Sequence, residues 1–171
     1  MPDPVTLVTH LNKGYVPVTS TQQLVYVLVT AKPSQTVSSS RMAVNFGFVL
    51  DRSGSMRGAK IERLIQAVRL ALAKVTPDDQ VSVTVFNDSA KVIAHGARMA
   101  EQRSLADQIA RIRAGGGTQM SRGLSLGLRE VYRRFDGSRV NQVILLTDGQ
   151  TYGDEEQCLR LAQEAGEHHI A

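Results

Sequence analysis

The chain lacks tryptophan and has only one cysteine, and aromatic residues make up 5% of it although 42% of its residues are hydrophobic. The single Cys158 excludes an internal disulfide bond and favours a reducing compartment. No apolar run approaches the roughly 20 residues that a membrane-spanning helix needs. The segment Met1-Pro2-Asp3-Pro4 has neither the basic residues nor the apolar core of an export signal. The sequence therefore predicts a cytoplasmic domain without a membrane segment.

Signatures of nucleic-acid binding are also lacking, although the formal net charge is +4. Much of the basic excess lies between Arg98 and Arg139, where arginines alternate with apolar residues at helical spacing. Such arginines usually cover the solvent-facing side of helices. No aromatic RNA-binding signature and no zinc-finger spacing accompanies them. The charge pattern therefore does not favour a nucleic-acid partner.

Hydrophobic periodicity predicts alternating strands and helices from residue 41 onwards. The predicted strands are 41–50, 81–86, 91–95 and 140–147, and the predicted helices are 57–75, 101–113, 121–135 and 154–167. The strands 41–50 and 140–147 contain the apolar runs 43–50 and 143–146, which are typical of central strands of a parallel sheet. Asn87-Asp88-Ser89 predicts a hairpin that adds antiparallel strands at one edge. The fold class predicted is α/β, with a doubly wound, Rossmann-like, mostly parallel sheet.

Three groups of side chains within these elements have predicted packing roles. Gly123 and Gly127 are expected to allow close approach of their helix to the sheet. Cys158 falls on the apolar face of the last helix and is expected to pack rather than react. On helix 121–135 the spacing predicts five residues facing inward: Leu124, Leu128, Val131, Tyr132 and Phe135.

Oxygen-bearing side chains occur in three loops next to these elements. Asp51, Ser53 and Ser55 directly follow the first central strand, Thr118 follows a glycine run, and Asp148 directly follows the second central strand. Ligands of open α/β sheets bind in the crevice outside the carboxyl ends of the strands. All five side chains offer oxygen and none offers nitrogen or sulfur, which is the ligand set of a hard cation such as Mg²⁺. The pattern predicts a metal site at this edge.

Asp51-x-Ser53-x-Ser55, Thr118 after its glycine run and Asp148 in a Thr-Asp-Gly turn resemble the metal-ion-dependent adhesion site of the von Willebrand factor type A family. The resemblance covers residues 41–171. It implies that the hydroxyls of Ser53 and Ser55 bind Mg²⁺ or Mn²⁺ directly, and that Thr118 does so directly or through water. It further implies that Asp51 and Asp148 act through bridging waters and hydrogen bonds.

The function implied by this resemblance is an adhesion-type, cation-dependent protein-binding module that is not an enzyme. Neutral ligands leave the cation underneutralised, so its open position favours a Glu or Asp carboxylate of a protein partner. Arg52 lies between the site residues, and its side chain is expected to point away from the metal, either into solvent or, less favoured, towards an acidic partner at the rim of the site.

Other interpretations of the same residues are weaker. The hydroxyls alone could be helix caps, and Asp148-Gly149 alone could be a turn, but this does not explain why all five residues fall at one edge. A haloacid-dehalogenase-like phosphatase would have a second Asp where this chain has Ser53. The two alternatives kept open are a metal-assisted hydrolase with Asp51 as base and an RNA-binding subunit of a ribonucleoprotein with this fold.

The two ends of the chain depart from the family pattern. Residues 1–40 carry two strand-like runs, 5–11 and 24–31, that resemble the start of a β-sandwich flanking the domain in some multidomain relatives. The segment His168-His169-Ile170-Ala171 indicates a strand just beginning, where the family continues with a further strand and helix; the two histidines are expected to be solvated. A two-stranded unit and an open apolar edge are both hard to leave in water. We therefore expect a domain at 41–171 that is completed by strand exchange between copies or by a second chain.

Overall fold

The computed structural model describes residues 5–11, 27–33, 41–97, 102–149, 151 and 153–171. The chain divides into two compact units, Met1–Arg41 and Met42–Ala171. In the first unit, β1 (Val5–Leu11) and β2 (Val27–Pro33) form a two-stranded antiparallel sheet. The second of these strands ends at Pro33 and not at Ala31, and residues 24–26 of the predicted strand lie outside the described residues.

The second unit is an α/β domain built on a four-stranded sheet. Its elements in chain order are β3 (Val44–Asp51), a 3-10 turn (Gly54–Met56), α1 (Ala59–Leu72), β4 (Gln80–Phe86), β5 (Ala90–Ala97), α2 (Gln102–Ala110), α3 (Met120–Tyr132), β6 (Val140–Leu146) and α4 (Glu155–Glu167). The strand order is β5-β4-β3-β6; β3 is parallel to both neighbours and β5 is antiparallel to β4. The predicted fold class, mostly parallel with an antiparallel edge, is confirmed.

The central strand β3 is buried on both faces because its side chains alternate between two helical layers. Phe48 and Leu50 pack into the cluster that contains the apolar residues of α1 and α2. Val49 faces the opposite side, where α3 and α4 lie. The sheet is therefore doubly wound, and the carboxyl ends of β3, β4 and β6 all lie at the same edge.

Helix α3 lies very close to the sheet because two of its residues have no side chain. A Cβ atom added to Gly123 would overlap the ring of Phe86, and one added to Gly127 would overlap Val49. The close packing predicted for these two glycines is confirmed. Cys158 is half-buried next to the same layer. Burial, together with the nearby charges of Asp154 and Glu155, raises the pKa of this thiol, which fits a packing role.

Three of the four predicted helices are too long at their carboxyl ends, and the helix predicted at 154–167 ends at Glu167 as predicted. The helix predicted at 101–113 ends at Ala110, because the next two amides donate to the carbonyls of Gln108 and Ile109, three residues back. The helix predicted to continue to Val75 likewise ends at Leu72, and Lys74 and Val75 form the same short turns. These closing turns are the tightened last turn common at helix ends.

Two of the five residues predicted to face inward on α3 are instead exposed. Leu124, Leu128 and Val131 are buried as predicted. Tyr132 and Phe135 are 37% and 43% exposed. The helix ends at Tyr132 and tightens, since Phe135 donates to the carbonyl of Tyr132, and the helical spacing no longer applies beyond that point. Tyr132 instead contacts His168 edge to face, with ring centroids 5.6 Å apart.

The last residue of the chain bonds to the outer edge of β6. The amide of Ala171 donates to the carbonyl of Asn141 at 3.0 Å, and its carbonyl accepts from the amide of Val143 at 2.7 Å. This pair of bonds has the pattern of a parallel ladder. His168 and His169, just before it, are exposed, as the sequence predicts.

At the amino end of the sheet, buried polar side chains bond to backbone groups of neighbouring elements. Asp79, which is fully buried, accepts from the amide of Val44 at 2.9 Å and from the amide and hydroxyl of Thr76 at 2.7 and 2.9 Å. The side-chain amide of Asn45 lies 3.0 Å from the carbonyl of Val131 and 2.9 Å from Oδ1 of Asn141. These contacts join β3 to the turn before β4, to α3 and to β6.

A fully buried carboxylate joins α3 to the edge strand near the same end. Glu130 accepts from Nη1 of Arg133 at 2.8 Å and lies 2.9 Å from Nδ1 of His95. A guanidinium nitrogen of Arg134 lies 3.8 Å away. Glu130 is therefore a structural ion-pair centre, and His95 is engaged there. None of the described helices is long and apolar enough to cross a membrane.

Candidate metal centre at the carboxyl end of the sheet

Backbone hydrogen bonds hold the loops at the carboxyl end of the sheet in fixed positions. The amide of Arg52 donates to the carbonyl of Phe86 at 2.8 Å, which ties the loop after β3 to the end of β4. The amide of Gly115 donates to the carbonyl of Arg52 at 2.8 Å, and the amide of Gly54 donates to the carbonyl of Gly116 at 2.9 Å. The glycine run between α2 and α3 is thus bonded directly to the loop that carries Ser53 and Ser55.

Asp51 connects the loop after β3 to the loop after β6. Its side chain is fully buried. Oδ1 accepts from the amide of Ser53 and Oδ2 accepts from the hydroxyl of Thr147, both at 2.7 Å. The Thr147 hydroxyl in turn accepts from the amide of Gly149 at 3.1 Å. Because both carboxylate oxygens are held from different loops, the orientation of Asp51 is set by the fold.

Ser53, Ser55 and Asp148 form a continuous cluster of oxygen atoms beside Asp51. The Oγ atoms of Ser53 and Ser55 are 3.0 Å apart, and the Ser55 hydroxyl donates to Oδ1 of Asp148 at 3.3 Å. Ser53 is 1% exposed, whereas the half-buried Ser55 lies nearer the surface. The structure therefore brings together four of the five residues that the sequence singles out.

Thr118, the fifth of these residues, lies on the adjoining loop. It is buried, and the next residue is held in place by a 2.8 Å bond from the amide of Gln119 to the carbonyl of Asn87. Thr118 therefore lies on a loop that backbone hydrogen bonds hold next to the loops after β3 and β4.

The glycine run is a close packing contact and not merely a connector. Oδ1 of Asp88 accepts from the amide of Gly117 at 2.8 Å, and the side-chain amide of Asn87 donates to the carbonyl of Gly115, also at 2.8 Å. A Cβ atom on Gly116 or Gly117 would overlap these two side chains. Sequence reasoning treated Asn87 and Asp88 only as a hairpin turn. Asn87 and Asp88 could have been placed at this site, because β4 runs parallel to β3 and the carboxyl ends of both strands therefore lie at the same edge of the sheet.

Lys60 is a second member of this region that sequence reasoning missed. Its Nζ lies 2.7 Å from Oδ2 of Asp148; the Lys60 side chain is 53% exposed and that of Asp148 only 11%. Lys60 lies in the first turn of α1, directly after the loop that carries the two serines. The ammonium group of Lys60 therefore contacts one of the two carboxylates of this cluster, that of Asp148.

The side chain of Arg52 differs from its prediction. It is half-buried rather than solvated, and Nη2 donates to Oδ1 of Asn87 at 3.1 Å. Its Nε is buried and has no described partner. Arg52 therefore helps to hold the loop after β4.

The chemistry of the donor set fits a hard divalent cation. Asp51, Ser53, Ser55, Thr118 and Asp148 present only oxygen, and no described group of three or more His, Cys, Asp or Glu residues forms a nitrogen- or sulfur-rich site. Two carboxylates and three hydroxyls suit Mg²⁺ or Mn²⁺ better than a softer ion. Lys60 already provides a cationic contact to Asp148.

The described residues do not add a general base to this cluster. His95 is bonded to Glu130, and His168 contacts Tyr132 beyond the end of α4. The letters Gly123-Leu124-Ser125-Leu126-Gly127 match the G-x-S-x-G pattern of hydrolases, but they lie inside α3. A nucleophile elbow requires a strand-to-helix turn. The Gly123–Gly127 letters therefore do not form a nucleophile elbow.

Comparison with known families gives a match over most of the second unit. The model of the von Willebrand factor type A domain matches residues 45–171. The uncharacterized protein sll0103 of Synechocystis sp. is 32% identical over 152 residues, which are 88% of this chain and 36% of that protein. Mouse inter alpha-trypsin inhibitor heavy chain 4 is 32% identical over 116 residues, 63% of this chain and 12% of that protein. The E3 ubiquitin-protein ligase WAV3 of Arabidopsis thaliana is 31% identical over 115 residues, 66% of this chain and 16% of that protein. The chain thus spans a minor part of each relative.

Solved structures show the same fold at lower sequence identity. A von Willebrand factor type A protein from Catenulispora acidiphila superposes with a TM-score of 0.65 at 21% identity, covering 96% of this chain and 38% of that chain. Manganese-loaded TRAP protein of Plasmodium vivax gives 0.64 at 17% identity, with coverages of 75% and 55%. Proximal thread matrix protein 1 of the mussel byssus, with a zinc-occupied MIDAS motif, gives 0.64 at 16% identity, with coverages of 76% and 36%.

Proposed function

Because this chain belongs to the von Willebrand factor type A domain family, we propose that it is a non-enzymatic, divalent-cation-dependent protein-binding module. In this proposal Mg²⁺ or Mn²⁺ is held by Asp51, Ser53, Ser55, Thr118 and Asp148 and takes a Glu or Asp carboxylate from a partner protein. The observation that carries it is the cluster beside the anchored Asp51, in which the Ser55 hydroxyl lies 3.0 Å from that of Ser53 and 3.3 Å from Oδ1 of Asp148.

Each residue of the cluster has a distinct part in this proposal. The cation, when bound, supplies a positive centre that attracts an anionic oxygen. Ser53, Ser55 and Thr118 offer neutral lone pairs, which solvate a cation without cancelling its charge. Asp51 holds the loop after β3 next to the loop after β6 through its two hydrogen bonds. Asp148 supplies charge at the more exposed side of the cluster. A partner carboxylate would add the negative charge that is still needed to neutralise the bound cation.

The comparisons support the metal part of the proposal by analogy. Two structures with this fold are described as manganese-loaded and as having a zinc-occupied MIDAS motif. The hydrolase alternative has less support, because both oxygens of Asp51 are engaged in hydrogen bonds and the described histidines of the second unit lie elsewhere. The RNA-binding alternative has no described feature in its favour beyond exposed arginines.

The metal part is tested by thermal unfolding in EDTA, Mg²⁺, Mn²⁺ and Ca²⁺. A ligand that binds only the folded state at a hundred times its dissociation constant adds about 2.7 kcal/mol to the free energy of unfolding. We expect Mg²⁺ and Mn²⁺ to raise the melting temperature and Ca²⁺ to raise it less, because a small hydroxyl-rich site suits the smaller ions. Equal melting temperatures in all four conditions would contradict a metal site.

The carboxylate part is tested with two small probes that differ in one group. Water proton relaxation of the Mn²⁺-loaded chain is measured while N-acetylglutamate methylamide or N-acetylglutamine methylamide is added, so that only the glutamate probe carries a carboxylate. We expect the acid to lower the relaxation enhancement, because it displaces metal-bound water, and the amide to leave it unchanged. Equal responses to both probes would show that the site does not select a carboxylate.

The organisation of the chain is a further proposal, with residues 1–40 as an arm and residues 41–171 as the binding domain. We propose that strand exchange between copies, or a second chain, completes the sheet. The outer edge of β6, where Ala171 of the same chain bonds to Asn141 and Val143, is the place at which a further strand would add. Light scattering at micromolar concentration tests the proposal, and a sharply melting monomer of 18.6 kDa would contradict it.

A further inference from the structure

A polar cavity of about 410 Å³ lies on the α3 side of the sheet, next to the loop that carries Thr118. We call it the α3 pocket and define it by Ser89, Arg122, Ser125, Arg129 and Gln157, which line it together with three neighbouring residues. Ser89 precedes β5, Gln157 is in α4, and the other three side chains come from α3. The pocket is not part of the oxygen cluster, and no step of the proposed function uses it.

The described residues that line the α3 pocket carry positive charge and no negative charge. Arg122, Ser125 and Arg129 follow one another at helical spacing on the outer face of α3, opposite the buried Leu124 and Leu128. Both arginines are exposed, and no carboxylate is among the residues that line the pocket.

Other arginines near α3 do have acidic partners. Arg133 and Arg134 pair with Glu130, and Arg139 pairs with Asp136. Among the described residues neither Arg122 nor Arg129 forms an ion pair; Arg122 only donates to the backbone carbonyl of Asp88, at 3.4 Å. Two guanidinium groups that share a concave surface with serine hydroxyls form a site for an anionic oxygen group.

The α3 pocket lies close to the candidate metal centre. Ser121, which also lines it, is three residues after Thr118, so their Cα atoms are at most about 11 Å apart. Asp88 links the two regions as well, because its carboxylate accepts from Gly117 and its carbonyl accepts from Arg122. A single extended peptide segment can therefore reach both places.

We propose that the α3 pocket binds a second acidic side chain of the same protein partner whose first carboxylate is bound at the metal. This rests on the function proposed above. The partner is thereby an acidic segment with two Glu or Asp residues a few positions apart. Charge complementarity selects it, because a segment with one acidic residue satisfies the metal and leaves both arginines unpaired.

The test uses synthetic peptides in which two glutamates are separated by one to five Gly or Ser residues, with matched peptides in which the second glutamate is glutamine. Binding to the isotope-labelled chain is followed by amide chemical shifts in Mg²⁺ and in EDTA. We expect at least one doubly acidic peptide to bind about fivefold more tightly than its singly acidic match in Mg²⁺. This gain in affinity for the doubly acidic peptide should disappear in the double variant Arg122→Gln/Arg129→Gln.

The control variant is Arg63→Gln/Arg69→Gln, which removes the same charge from exposed positions of α1 and should keep the gain in affinity.

Equal affinity for doubly and singly acidic peptides would overturn the inference and leave the metal-carboxylate proposal intact. Peptide binding that shifts only the amides of residues 121–129 and is unaffected by EDTA would instead contradict the proposal that the first carboxylate binds at the metal. A single-stranded oligonucleotide that binds tightly and is lost in the Arg122/Arg129 variant would overturn the acidic-protein assignment in favour of nucleic acid.

Discussion

The two ends of the central sheet both bury polar side chains, but the partners of these side chains differ. At the amino end, Asp79 and Asn45 bond mainly to backbone groups of the turn before β4, of β3 and of α3. At the carboxyl end, Ser53, Ser55 and Asp148 bond chiefly to one another, and Asp148 also to Lys60.

This difference indicates that the polar side chains at the amino end stabilise the fold, whereas those at the carboxyl end are arranged for ligand binding. A buried backbone amide has no alternative partner when its acceptor is removed, so the loss destabilises the fold directly. A hydroxyl that bonds only to another hydroxyl can be lost with less effect, since its neighbour lies near the surface and can bond to water. We therefore expect substitutions at the amino end to change stability, and those at the carboxyl end to change ligand binding.

The largest expected effect is that of Asp79→Ala. The substitution removes the acceptor of three hydrogen bonds, from the amides of Val44 and Thr76 and from the Thr76 hydroxyl. Hydrogen bonds to a buried charged group contribute about 1.5 to 3 kcal/mol each, with much of this offset by the desolvation of the charge. We expect urea unfolding to show a free energy of unfolding lower by on the order of 3 kcal/mol.

The matched control is Asp78→Ala, which removes the exposed carboxylate of the preceding residue and should change the free energy of unfolding by less than about 0.5 kcal/mol. The Mn²⁺ affinity of folded Asp79→Ala should equal that of the unsubstituted chain. If Asp79→Ala were as stable as Asp78→Ala, the amino end would not have the structural role assigned to it.

The second expected effect is that of Ser53→Ala at the carboxyl end. In EDTA the loss of stability should stay below about 1 kcal/mol, because the one hydrogen bond of the Ser53 hydroxyl among the described residues is that to Ser55. In excess Mg²⁺ or Mn²⁺ the variant should lack the stabilisation of about 2.7 kcal/mol expected at a hundred times the dissociation constant. Asp148→Ala should behave in the same way and should also abolish binding of the carboxylate probe.

Ser82→Ala is the control for this pair of measurements. Ser82 is equally buried, but its hydroxyl donates to the carbonyl of Phe46 within the sheet, at 3.4 Å. It should show a similar loss in EDTA and keep the full response to metal. A metal response that persists in Ser53→Ala would remove Ser53 from the proposed ligand set.

The contrast between the two ends also explains what could be predicted from the sequence. The strands, the fold class and the loops that carry Asp51, Thr118 and Asp148 depend on local patterns, namely apolar runs followed by turns. The roles of Asp79 and Lys60 depend on contacts between residues 35 and 88 positions apart in the chain. Asp79 falls between two predicted elements, and no short motif distinguishes it from its neighbour Asp78.

Packing at helix ends was a second limit of sequence reasoning. Tyr132 and Phe135 continue the apolar spacing of α3, but the last turn tightens and both remain partly exposed. Helical spacing cannot show where the regular turns end. Lys60 could have been found from geometry, since a residue in the first turn of α1 necessarily lies near the loop that precedes the helix.

A smaller effect is expected for Lys60→Met. The Lys60 ammonium occupies Oδ2 of Asp148 at 2.7 Å, so a cation that needs this carboxylate competes with it. Exposed ion pairs contribute about 0.2 to 1 kcal/mol, which corresponds to at most about a fivefold change in affinity. We expect Mn²⁺ affinity, measured by electron paramagnetic resonance of the free ion, to rise by up to this factor.

Lys74→Met, at the other end of α1, is the control and should leave Mn²⁺ affinity unchanged. Unchanged or weaker binding in Lys60→Met would mean that Lys60 stays on Asp148 when metal binds and helps to orient it. The two results distinguish a Lys60 ammonium that competes with the metal for Asp148 from one that orients Asp148 for the metal.

The smallest expected effect concerns Asp154, which lies outside both groups and ties the start of α4 to the start of α3. Its Oδ2 accepts from the amide of Ser121 at 2.6 Å and its Oδ1 from the Thr151 hydroxyl. Partial burial raises the pKa of Asp154, but the hydrogen bonds from Thr151 and Ser121 outweigh it, so the pKa lies below its usual value.

A carboxyl group whose pKa is lower in the folded state stabilises the fold above its unfolded pKa of about 3.9, and this contribution is lost as the pH falls through the folded pKa. We expect Asp154→Asn to be less stable by a few tenths of a kcal/mol at pH 7, since Asn can still cap the α3 amide. The difference should vanish at pH values below the folded pKa, where the carboxyl is protonated. Glu156→Gln, at a carboxylate that is 91% exposed on the same helix, should show no such pH dependence. If the difference between Asp154→Asn and the unsubstituted chain stayed constant from pH 7 to pH 3, the charge of Asp154 would not contribute, and its side chain would act only as a neutral hydrogen-bond acceptor.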